Sequence, residues 1–379
     1  MTYPPISDTR PDQRGHAPHG RRPRRGKRWL LVVACIAVLG LIAWPVMSYF
    51  EIPPFTDKGE AITFGKQQED GKGGTPEKSG DPNVLMPTGA YPEQPTIETS
   101  VSDGTKVAVV TITGKKSGFK GKVWLWAPKE YDDPKYAKSG FPVMIALPGG
   151  AGFPKNYWMG QDLKLQSSMS QWIKEGKSLP FILAMPVLNP ENHDKDKNDP
   201  MLGTYWDASD IPGQPKMGTW LTEDVPDLVR SNFRTQKSRD GWAFMGSSTG
   251  GFAGLKSVLQ KPDQFKAVIA SGPDVAPDSH LWKGHDAEKA ANNPKLLAPK
   301  LIQSGHPDVY LAFQVGTKET SALPPIQDFV KQYTKGPIHT KLSIIQGGEH
   351  NAASYVPAME NGGLIQWISQ HMQGPKPAS

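Results

Sequence analysis

The sequence predicts an α/β domain with a mostly parallel central β-sheet and helices on both of its faces. Apolar runs of strand length recur from about residue 99 onward, and they lack the polar alternation of strands that face solvent. Helical stretches separate these runs, which is typical of βαβ units. With 37% hydrophobic residues and 11 Trp in 379 residues, the chain has enough apolar side chains for a sizeable core, and a wholly disordered chain is excluded.

The predicted elements begin with two strands, Lys106–Thr113 and Lys122–Ala127, which are joined through a turn rich in Gly and Lys. Six further strands are predicted at residues 142–147, 181–187, 242–245, 267–270, 309–315 and 342–346. Helical patterns cover residues 163–175, 219–233, 252–260, 326–332 and 364–371. The long interval 188–218 is polar, and loops of this length in α/β domains often lie beside the functional site.

The positive charge of the chain is confined to its N-terminal tail. The formal net charge is +6, from 43 Lys and Arg against 37 Asp and Glu. Residues 1–28 contain eight of these basic residues but only Asp8 and Asp12, so the remainder holds 35 basic and 35 acidic residues. The balanced charge of the folded part therefore gives no support to a nucleic-acid-binding surface there. The single Cys excludes a disulfide framework, a Cys-based zinc site and a two-Cys redox pair.

Residues 29–50 contain no charged side chain and predict a transmembrane helix. Twenty-two residues at about 1.5 Å each give about 33 Å of helix, enough for a hydrocarbon core of about 30 Å. The basic residues just before this segment are expected to stay in the cytoplasm, which places the C-terminal part outside a bacterial cell membrane. The alternative is a cleaved signal peptide, but the end of the segment lacks the small residues of a cleavage site.

The segment after the predicted anchor differs in composition from the rest of the chain. Residues 51–98 are dominated by Pro, Gly, Glu and Lys and show no apolar period, which predicts a flexible linker. The folded domain is predicted to span residues 99–373 and to be followed by a short C-terminal tail at residues 374–379.

A Gly-x-Ser-x-Gly motif occupies residues 246–250, between the predicted strand Trp242–Met245 and the predicted helix Phe252–Gln260. This is the setting of a nucleophile elbow, a tight turn that exposes a serine hydroxyl between a strand and a helix. The N-terminus of the helix favours negative charge at that position. Ser248 is therefore the predicted nucleophile. The alternatives are Ser247 in the same turn, or a Gly/Ser-rich turn without catalytic function.

A serine hydroxyl needs a base to become a good nucleophile, and after a nucleophile elbow the histidine comes last in chain order. His350 directly follows the predicted strand Leu342–Gln346, in a Gly-rich loop at the C-terminal end of that strand. His306 and His339 precede strands, and His371 lies on the last predicted helix. His350 is therefore the predicted base.

The third member of such a triad is an acid that orients the histidine. Glu319 lies in the loop after the predicted strand Val309–Val315, whereas Asp308 lies at the other end of that strand. Glu319 is the predicted acid. The alternatives are Asp274 or Asp278 after an earlier strand, with Glu319 as a solvated loop carboxylate paired with the adjacent lysine.

Acyl chemistry also needs hydrogen-bond donors for the oxyanion that develops in the transition state. The N–H of Thr249, directly after the predicted nucleophile, is one predicted donor. The Gly-rich loop at residues 147–152 follows a predicted strand and supplies the other. Gly150 is the predicted donor there, because glycine lets the backbone approach a substrate closely.

Three aromatic residues lie near loops that flank the predicted site: Tyr157, Trp158 and Trp206. They are predicted to form an apolar wall against the substrate. No cofactor or metal is predicted. The loop at residues 147–152 lacks the Lys and Ser/Thr of a phosphate-binding loop, and residues 193–199 lack the Gly required at the sixth position of an EF-hand.

Residues 99–373 resemble the esterase family of the α/β-hydrolase fold that includes esterase D (S-formylglutathione hydrolase) and the secreted mycolyltransferases. Besides the elbow, the resemblance rests on three stretches: residues 220–234, 261–272 and 347–350. The resemblance implies a Ser-His-acid triad, no cofactor, and either ester hydrolysis or acyl transfer. Pro148-Gly149 stands where many members have His-Gly or Asp-Gly, and the aromatic residue that is common shortly after the histidine is here Tyr355.

The sequence therefore predicts a membrane-anchored, extracytoplasmic serine esterase that uses Ser248, His350 and Glu319. Its expected substrate is a small-molecule, lipid or glycan ester. Two alternatives remain open. An acyltransferase would use the same three residues to pass the acyl group to a hydroxyl acceptor instead of water. A non-catalytic binding module would keep the fold without turnover.

Overall fold

The computed structural model describes residues 59–65, 81–193, 197–199 and 201–377. The predicted basic tail and the predicted anchor at residues 29–50 lie outside these residues. Among the helices of the described ranges, none is both long enough and apolar enough to cross a membrane.

Eleven strands occur in the described residues. They are β1 Val84–Leu85, β2 Thr96–Ser100, β3 Lys106–Thr113, β4 Lys120–Trp126, β5 Val143–Leu147, β6 Ile182–Pro186, β7 Thr235–Gln236, β8 Trp242–Ser247, β9 Ala267–Ser271, β10 Val309–Gly316 and β11 Ile338–Ile345. Nine of them form one sheet in the order β11-β10-β9-β8-β5-β6-β4-β3-β2. The six strands from β11 to β6 in this order are parallel, and β4, β3 and β2 continue the sheet in antiparallel pairing.

The helices of the described residues are mostly short and connect the strands. They are α1 Leu165–Lys174, α2 Met217–Thr219, α3 Val225–Asn232, α4 Thr249–Gln260, α5 Asp286–Ala291, α6 Pro294–Ser304, α7 Leu323–Tyr333, α8 Ala352–Asn361 and α9 Leu364–His371. A π-helical segment, Trp220–Asp224, joins α2 to α3. Single 3-10 turns occur at Lys129–Asp132, Pro134–Tyr136, Tyr157–Met159, Arg239–Gly241 and His280–Trp282.

The core lies in the middle of the sheet, where β5, β6, β8 and β9 are buried at every residue. Successive side chains of a strand point to opposite faces, so complete burial means that both faces are covered. Each buried Leu, Ile, Val or Phe side chain contributes about 1.5–3 kcal/mol by leaving water. The predicted mostly parallel sheet with connecting helices is confirmed, and the predicted strands and helices are present with shifted ends.

The linker predicted at residues 51–98 is wrong for the parts of it that the structure describes. Tyr91 is buried, and its backbone N–H donates a 2.9 Å hydrogen bond to Ser231 Oγ. β1 pairs with β7, and β2 adds an edge strand to the main sheet beside β3. These pieces escaped sequence reasoning because strands of two to five residues, half exposed, carry no clear apolar period.

The predicted C-terminal boundary at residue 373 is also too early. Gln236 Nε2 donates a 3.2 Å hydrogen bond to the Gly374 carbonyl, and Ser139 Oγ donates to the Lys376 carbonyl. The folded domain therefore includes residues that were predicted to form a free tail.

The strand order has a topological switch point between β5 and β8. The chain leaves β5 toward β6 on one side, whereas β8 leads to β9 on the other. At such a topological switch point the loops after neighbouring strands diverge, and ligands bind at the carboxyl ends of the strands. The loop after β5 holds Gly149 and Gly150, and β8 ends at Ser247, so the predicted oxyanion loop and the predicted elbow both lie at this switch point.

Candidate active site

Ser248 lies alone between β8 and α4, in a strained backbone conformation. Its φ of 52° and ψ of −123° are rarely adopted by residues with a side chain and cost about 1–3 kcal/mol. A Cβ on Gly246 would lie 2.5 Å from the Gly250 backbone, and a Cβ on Gly250 would lie 2.4 Å from the Leu147 carbonyl oxygen. Gly246 is therefore required where β8 meets α4, and Gly250 is required where α4 meets the end of β5. The turn has the geometry of a nucleophile elbow.

The neighbouring Ser247 is placed differently. It is the last residue of β8 and is only 3% exposed, and its Oγ forms a hydrogen bond with Tyr157 Oη. Ser248 is more exposed than Ser247. The geometry therefore favours Ser248 over Ser247 as the residue that meets a substrate.

His350 and Glu319 form a close pair at the carboxyl ends of β11 and β10. His350 Nδ1 lies 2.6 Å from Glu319 Oε2, and Glu319 Oε1 accepts a 2.7 Å hydrogen bond from the Gly316 N–H. The Glu319 side chain is 1% exposed, whereas the His350 side chain is 51% exposed. Lys318, the alternative partner of Glu319, instead pairs with Glu349 at 2.8 Å. The carboxylate is thus fixed behind the imidazole, which faces solvent.

The environment of this pair shifts both of its pKa values. Burial by itself raises the pKa of Glu319, but hydrogen bonds from His350, the Gly316 N–H and the Tyr355 hydroxyl outweigh it and leave the pKa below its usual value. The hydrogen bond to Glu319 raises the pKa of His350, although burial opposes the change, and the charge of Asp274 adds to the rise. The arrangement therefore stabilises an imidazolium ion at His350.

The end of β9 connects the elbow to this pair. The Ser248 N–H donates a 2.8 Å hydrogen bond to the Ser271 carbonyl. At the next residue, Gly272, a Cβ would lie 2.5 Å from Glu319 Oε2 and 3.0 Å from His350 Nδ1. The structure therefore brings Ser248, His350 and Glu319 together at one edge of the sheet.

The other acids considered from the sequence are placed differently. Asp308 lies at the opposite end of β10, where its carboxylate is 3.5 Å from His339 Nε2. The side chains of Asp274 and Asp278 are exposed in the loop after β9. Glu319 is the carboxylate that hydrogen-bonds to His350 Nδ1.

The two predicted oxyanion donors flank Ser248. Thr249 is the first residue of α4, where backbone N–H groups have no partner within the helix. Gly150 has a φ of 62°, and a Cβ there would meet no atom within 4 Å, so this peptide borders open space. The preceding Gly149 N–H donates a 2.5 Å hydrogen bond to Tyr157 Oη. Thr249 thus lies directly after Ser248, and Gly150 lies in the loop whose preceding residue, Gly149, packs on Ser248.

Comparison with known families shows which family the chain belongs to. The Esterase family model matches residues 117–360, more than half of the chain, and the matched region includes the elbow, Glu319 and His350. The chain belongs to the Esterase family. The predicted resemblance to esterases of this type is confirmed.

Two curated relatives of this esterase-family chain show how far the similarity extends. An uncharacterised protein of Corynebacterium glutamicum is 21% identical over 278 residues, which cover 69% of this chain and 60% of the relative. The S-formylglutathione hydrolase of Mus musculus is 27% identical over 131 residues, which cover 29% of this chain and 45% of the relative. The chain therefore spans about half the length of the curated relatives it matches.

Solved structures show the same fold as this esterase-family chain. An S-formylglutathione hydrolase from Agrobacterium tumefaciens matches with a TM-score of 0.55 and 20% identity, over 73% of this chain and 99% of that one. A ferulic acid esterase matches with a TM-score of 0.54 and 15% identity, over 71% of this chain and 99% of that one. The fold is therefore that of the α/β-hydrolases.

The predicted aromatic wall is wrong for two of its three residues. Trp158 is 0% exposed, and its Nε1–H donates a 2.8 Å hydrogen bond to the Leu147 carbonyl. Trp206 is 2% exposed, and its Nε1–H donates to Gln214 Oε1. Both indoles fill the core beneath the loops, because their large apolar surface gains more from burial than from contact with solvent. Tyr157 is partly exposed, and its hydroxyl is directed at Gly149 and Ser247.

Tyr355 is a member of the site that sequence reasoning noted only as an aromatic residue after the histidine. It lies on α8 and is 1% exposed, with its Oη 3.2 Å from His350 Nδ1. Burial and the hydrogen bond to Glu319 both raise the pKa of the phenol, so the hydroxyl stays protonated and donates a hydrogen bond to the carboxylate. Gln314 Nε2 donates a 3.0 Å hydrogen bond to the Tyr355 carbonyl and holds the helix in place.

No metal site accompanies these residues in the described part of the chain, where His, Cys, Asp and Glu side chains do not gather in groups of three or more suited to an ion. In the segment considered for calcium, His193 Nδ1 lies 2.6 Å from Asp199 Oδ2. This contact is an ion pair on a polar loop.

Proposed function

We propose that this chain is a serine ester hydrolase in which Ser248 is the nucleophile, His350 the general base and Glu319 the acid that orients it. The observation that carries the proposal is the 2.6 Å contact between His350 and the buried Glu319, at the same sheet edge as the strained elbow of Ser248. Membership of the Esterase family supports it.

In the proposed reaction, Ser248 Oγ attacks the ester carbonyl carbon while His350 Nε2 accepts the hydroxyl proton. The carbonyl oxygen becomes an oxyanion that receives hydrogen bonds from the N–H groups of Thr249 and Gly150. Collapse of this intermediate breaks the ester bond, and the imidazolium returns its proton to the departing alcohol. Water then attacks the acyl-enzyme by the same route in reverse and releases the carboxylic acid.

Glu319 assists both steps because it stays ionised. Its lowered pKa keeps the carboxylate charged at neutral pH, and the bond to Nδ1 fixes the tautomer that leaves Nε2 free to accept a proton. The charge stabilises the imidazolium that each proton transfer creates.

The proposal is tested by turnover of p-nitrophenyl esters of graded chain length, with a feruloyl ester and S-formylglutathione in the same panel. The feruloyl ester and S-formylglutathione are included because a ferulic acid esterase and an S-formylglutathione hydrolase share the fold. Adding a sugar acceptor to each reaction separates hydrolysis from acyl transfer, since an acyltransferase would form the new ester at the expense of the free acid. Absence of turnover across the whole panel would contradict the proposal.

Gly272→Ala should lower kcat by about 100-fold, because a displacement of about 1 Å between reacting groups has an effect of that size. The added methyl group would lie within 3.0 Å of Tyr355 Oη, Glu319 Oε2 and His350 Nδ1, so the pair must shift. Gly118→Ala is the matched control. Gly118 also has a positive φ, of 73°, but a Cβ there meets no atom within 4 Å. Equal kcat values for the two variants, measured on the same p-nitrophenyl ester, would refute the proposed position of the pair.

The proposal extends to the location of the enzyme. The uncharged residues 29–50 and the basic flank before them support a single-pass anchor with the catalytic domain outside the cytoplasmic membrane. We expect the full chain to stay with membranes after carbonate washing. Protease added to spheroplasts should release a fragment that begins within residues 51–58 or 66–80, since residues 59–65 and 81–98 pack on the domain. A soluble mature protein that begins near residues 49–55 would instead indicate a cleaved signal peptide.

A further inference from the structure

The 3-10 turn that carries Tyr157 is held firmly against the ends of the central strands. Asn156 is 0% exposed, and its Nδ2 donates 2.8 Å hydrogen bonds to the Ala146 carbonyl of β5 and to the last carbonyl of β6. On the other side of Tyr157, the Trp158 Nε1–H donates a hydrogen bond to the Leu147 carbonyl. The backbone on both sides of Tyr157 is therefore fixed relative to β5. This fixes the position from which the Tyr157 side chain extends.

From this position the Tyr157 hydroxyl joins two segments that are far apart in sequence. It accepts a 2.5 Å hydrogen bond from the Gly149 N–H and forms a second hydrogen bond with Ser247 Oγ. Burial raises the pKa of the Tyr157 phenol, so the hydroxyl is neutral and has a proton to donate to Ser247. Gly149 belongs to the loop after β5, and Ser247 directly precedes the proposed nucleophile.

The same contacts decide which N–H of the loop after β5 is available to a substrate. A Cβ on Gly149 would lie 3.1 Å from Ser248 Cβ, so this peptide packs directly on the nucleophile residue. The Gly149 N–H is already committed to Tyr157 Oη, whereas Gly150 borders open space. An oxyanion donor must lie about 2.7–3.1 Å from the developing charge, so the separation between this loop and Ser248 matters directly.

We propose that Tyr157 and Ser247 form a clamp that holds the loop after β5 at a fixed distance from Ser248, and that Tyr157 is a positioning residue for acyl transfer. This inference rests on the proposed function, because it assigns the clamp to the oxyanion site of that reaction. Tyr157 acts through the Gly149–Gly150 peptide and does not itself touch the substrate.

The test compares Tyr157→Phe, Ser247→Ala and the double variant on p-nitrophenyl acetate, with rates normalised to sites labelled by a fluorophosphonate. Tyr157→Phe should lower kcat by about 10- to 100-fold and leave KM within about 2-fold, since a small misplacement affects the transition state more than the bound ester. Ser247→Ala should lower kcat in the same way but by less. The double variant should be no slower than Tyr157→Phe alone, because the second change acts on a clamp that is already broken.

One further measurement and one control variant distinguish a positioning role of Tyr157 from general destabilisation of the protein. The inhibition constant of a trifluoromethyl ketone, which forms an oxyanion on the enzyme, should weaken in Tyr157→Phe by the same factor as kcat/KM. Tyr333→Phe is the control, because it removes a hydroxyl that bonds to the Lys295 carbonyl away from the site, and it should behave as wild type.

The outcomes distinguish the two proposals. A wild-type kcat in Tyr157→Phe, or effects of the two single changes that multiply in the double variant, would overturn the clamp. Turnover retained in Ser248→Ala would overturn the proposed function itself.

Discussion

Replacing Ser248 with alanine should lower ester turnover by roughly 10³- to 10⁶-fold and abolish covalent labelling by a fluorophosphonate. Alanine has no hydroxyl to attack the carbonyl, so no acyl-enzyme forms. What remains is the contribution of the oxyanion donors and of substrate binding, which explains why the residual rate need not be zero. Turnover of p-nitrophenyl acetate and labelling of the same sample measure the two effects.

Ser247→Ala is the matched control for this prediction. Both serines lie in one turn, but Ser247 is buried and its Oγ is hydrogen-bonded to Tyr157, whereas Ser248 is partly exposed at the elbow. Ser247→Ala should therefore still be labelled to completion, although more slowly if the clamp positions the oxyanion loop. Complete labelling of Ser248→Ala, with loss of labelling in Ser247→Ala, would exchange the roles of the two residues.

The elbow and its partners were predictable because each has a local signature. A Cβ on Gly246 or Gly250 would lie about 2.5 Å from neighbouring backbone atoms, so both positions require glycine, and this requirement is visible in the sequence as the Gly-x-Ser-x-Gly motif. Glu319 follows the apolar, mostly buried strand β10, and His350 follows the parallel strand β11, which ends in Ile344 and Ile345. The carboxyl ends of parallel strands lie at one edge of a sheet, so order along the chain was enough to predict that the two side chains meet.

The direction of the aromatic side chains was not predictable in this way. Trp158 and Trp206 flank loops near the site in sequence, yet both point into the core. The direction of a side chain in an irregular segment depends on which cavity the surrounding elements leave to fill, and no periodicity records it. The hydroxyl of Tyr157, by contrast, reaches the elbow because Asn156 and Trp158 fix the turn from both sides.

Some elements were missed although the chain carries signals for them. α6 contains Pro299, a residue disfavoured inside helices, but Asn293 caps its N-terminus, Pro294 occupies its first position and Gly305 ends it with a φ of 76°. α8 likewise contains Pro357 and begins after the capping residue Asn351. A search for caps, in addition to apolar periods, would have found both helices, and with α8 the position of Tyr355.

Glu319→Gln should lower kcat by roughly 10²- to 10⁴-fold, which is the scale for losing the group that orients the base and stabilises its imidazolium. Glutamine has nearly the same shape, so the variant removes charge and acceptor strength with little change in volume. Its amide NH₂ group can donate to His350 Nδ1 and select the tautomer in which Nε2 carries the proton. The variant therefore lacks both the negative charge beside His350 and the group that favours the tautomer with a free Nε2. Asp308→Asn is the control, because Asp308 lies at the other end of β10 beside His339, and it should retain wild-type rates.

The pH dependence of kcat/KM provides a second, independent test of the role of Glu319. His350 must be neutral to accept the Ser248 proton, so activity is lost as pH falls through the pKa of His350. The hydrogen bond to Glu319 raises that pKa above its usual value of about 6.5. In Glu319→Gln the raised pKa falls, so the acidic limb should move to lower pH while the plateau drops. An unchanged limb and plateau, together with an inactive Asp274→Asn variant, would assign the acid to the loop after β9, because Asp274 is the other carboxylate whose charge acts on His350.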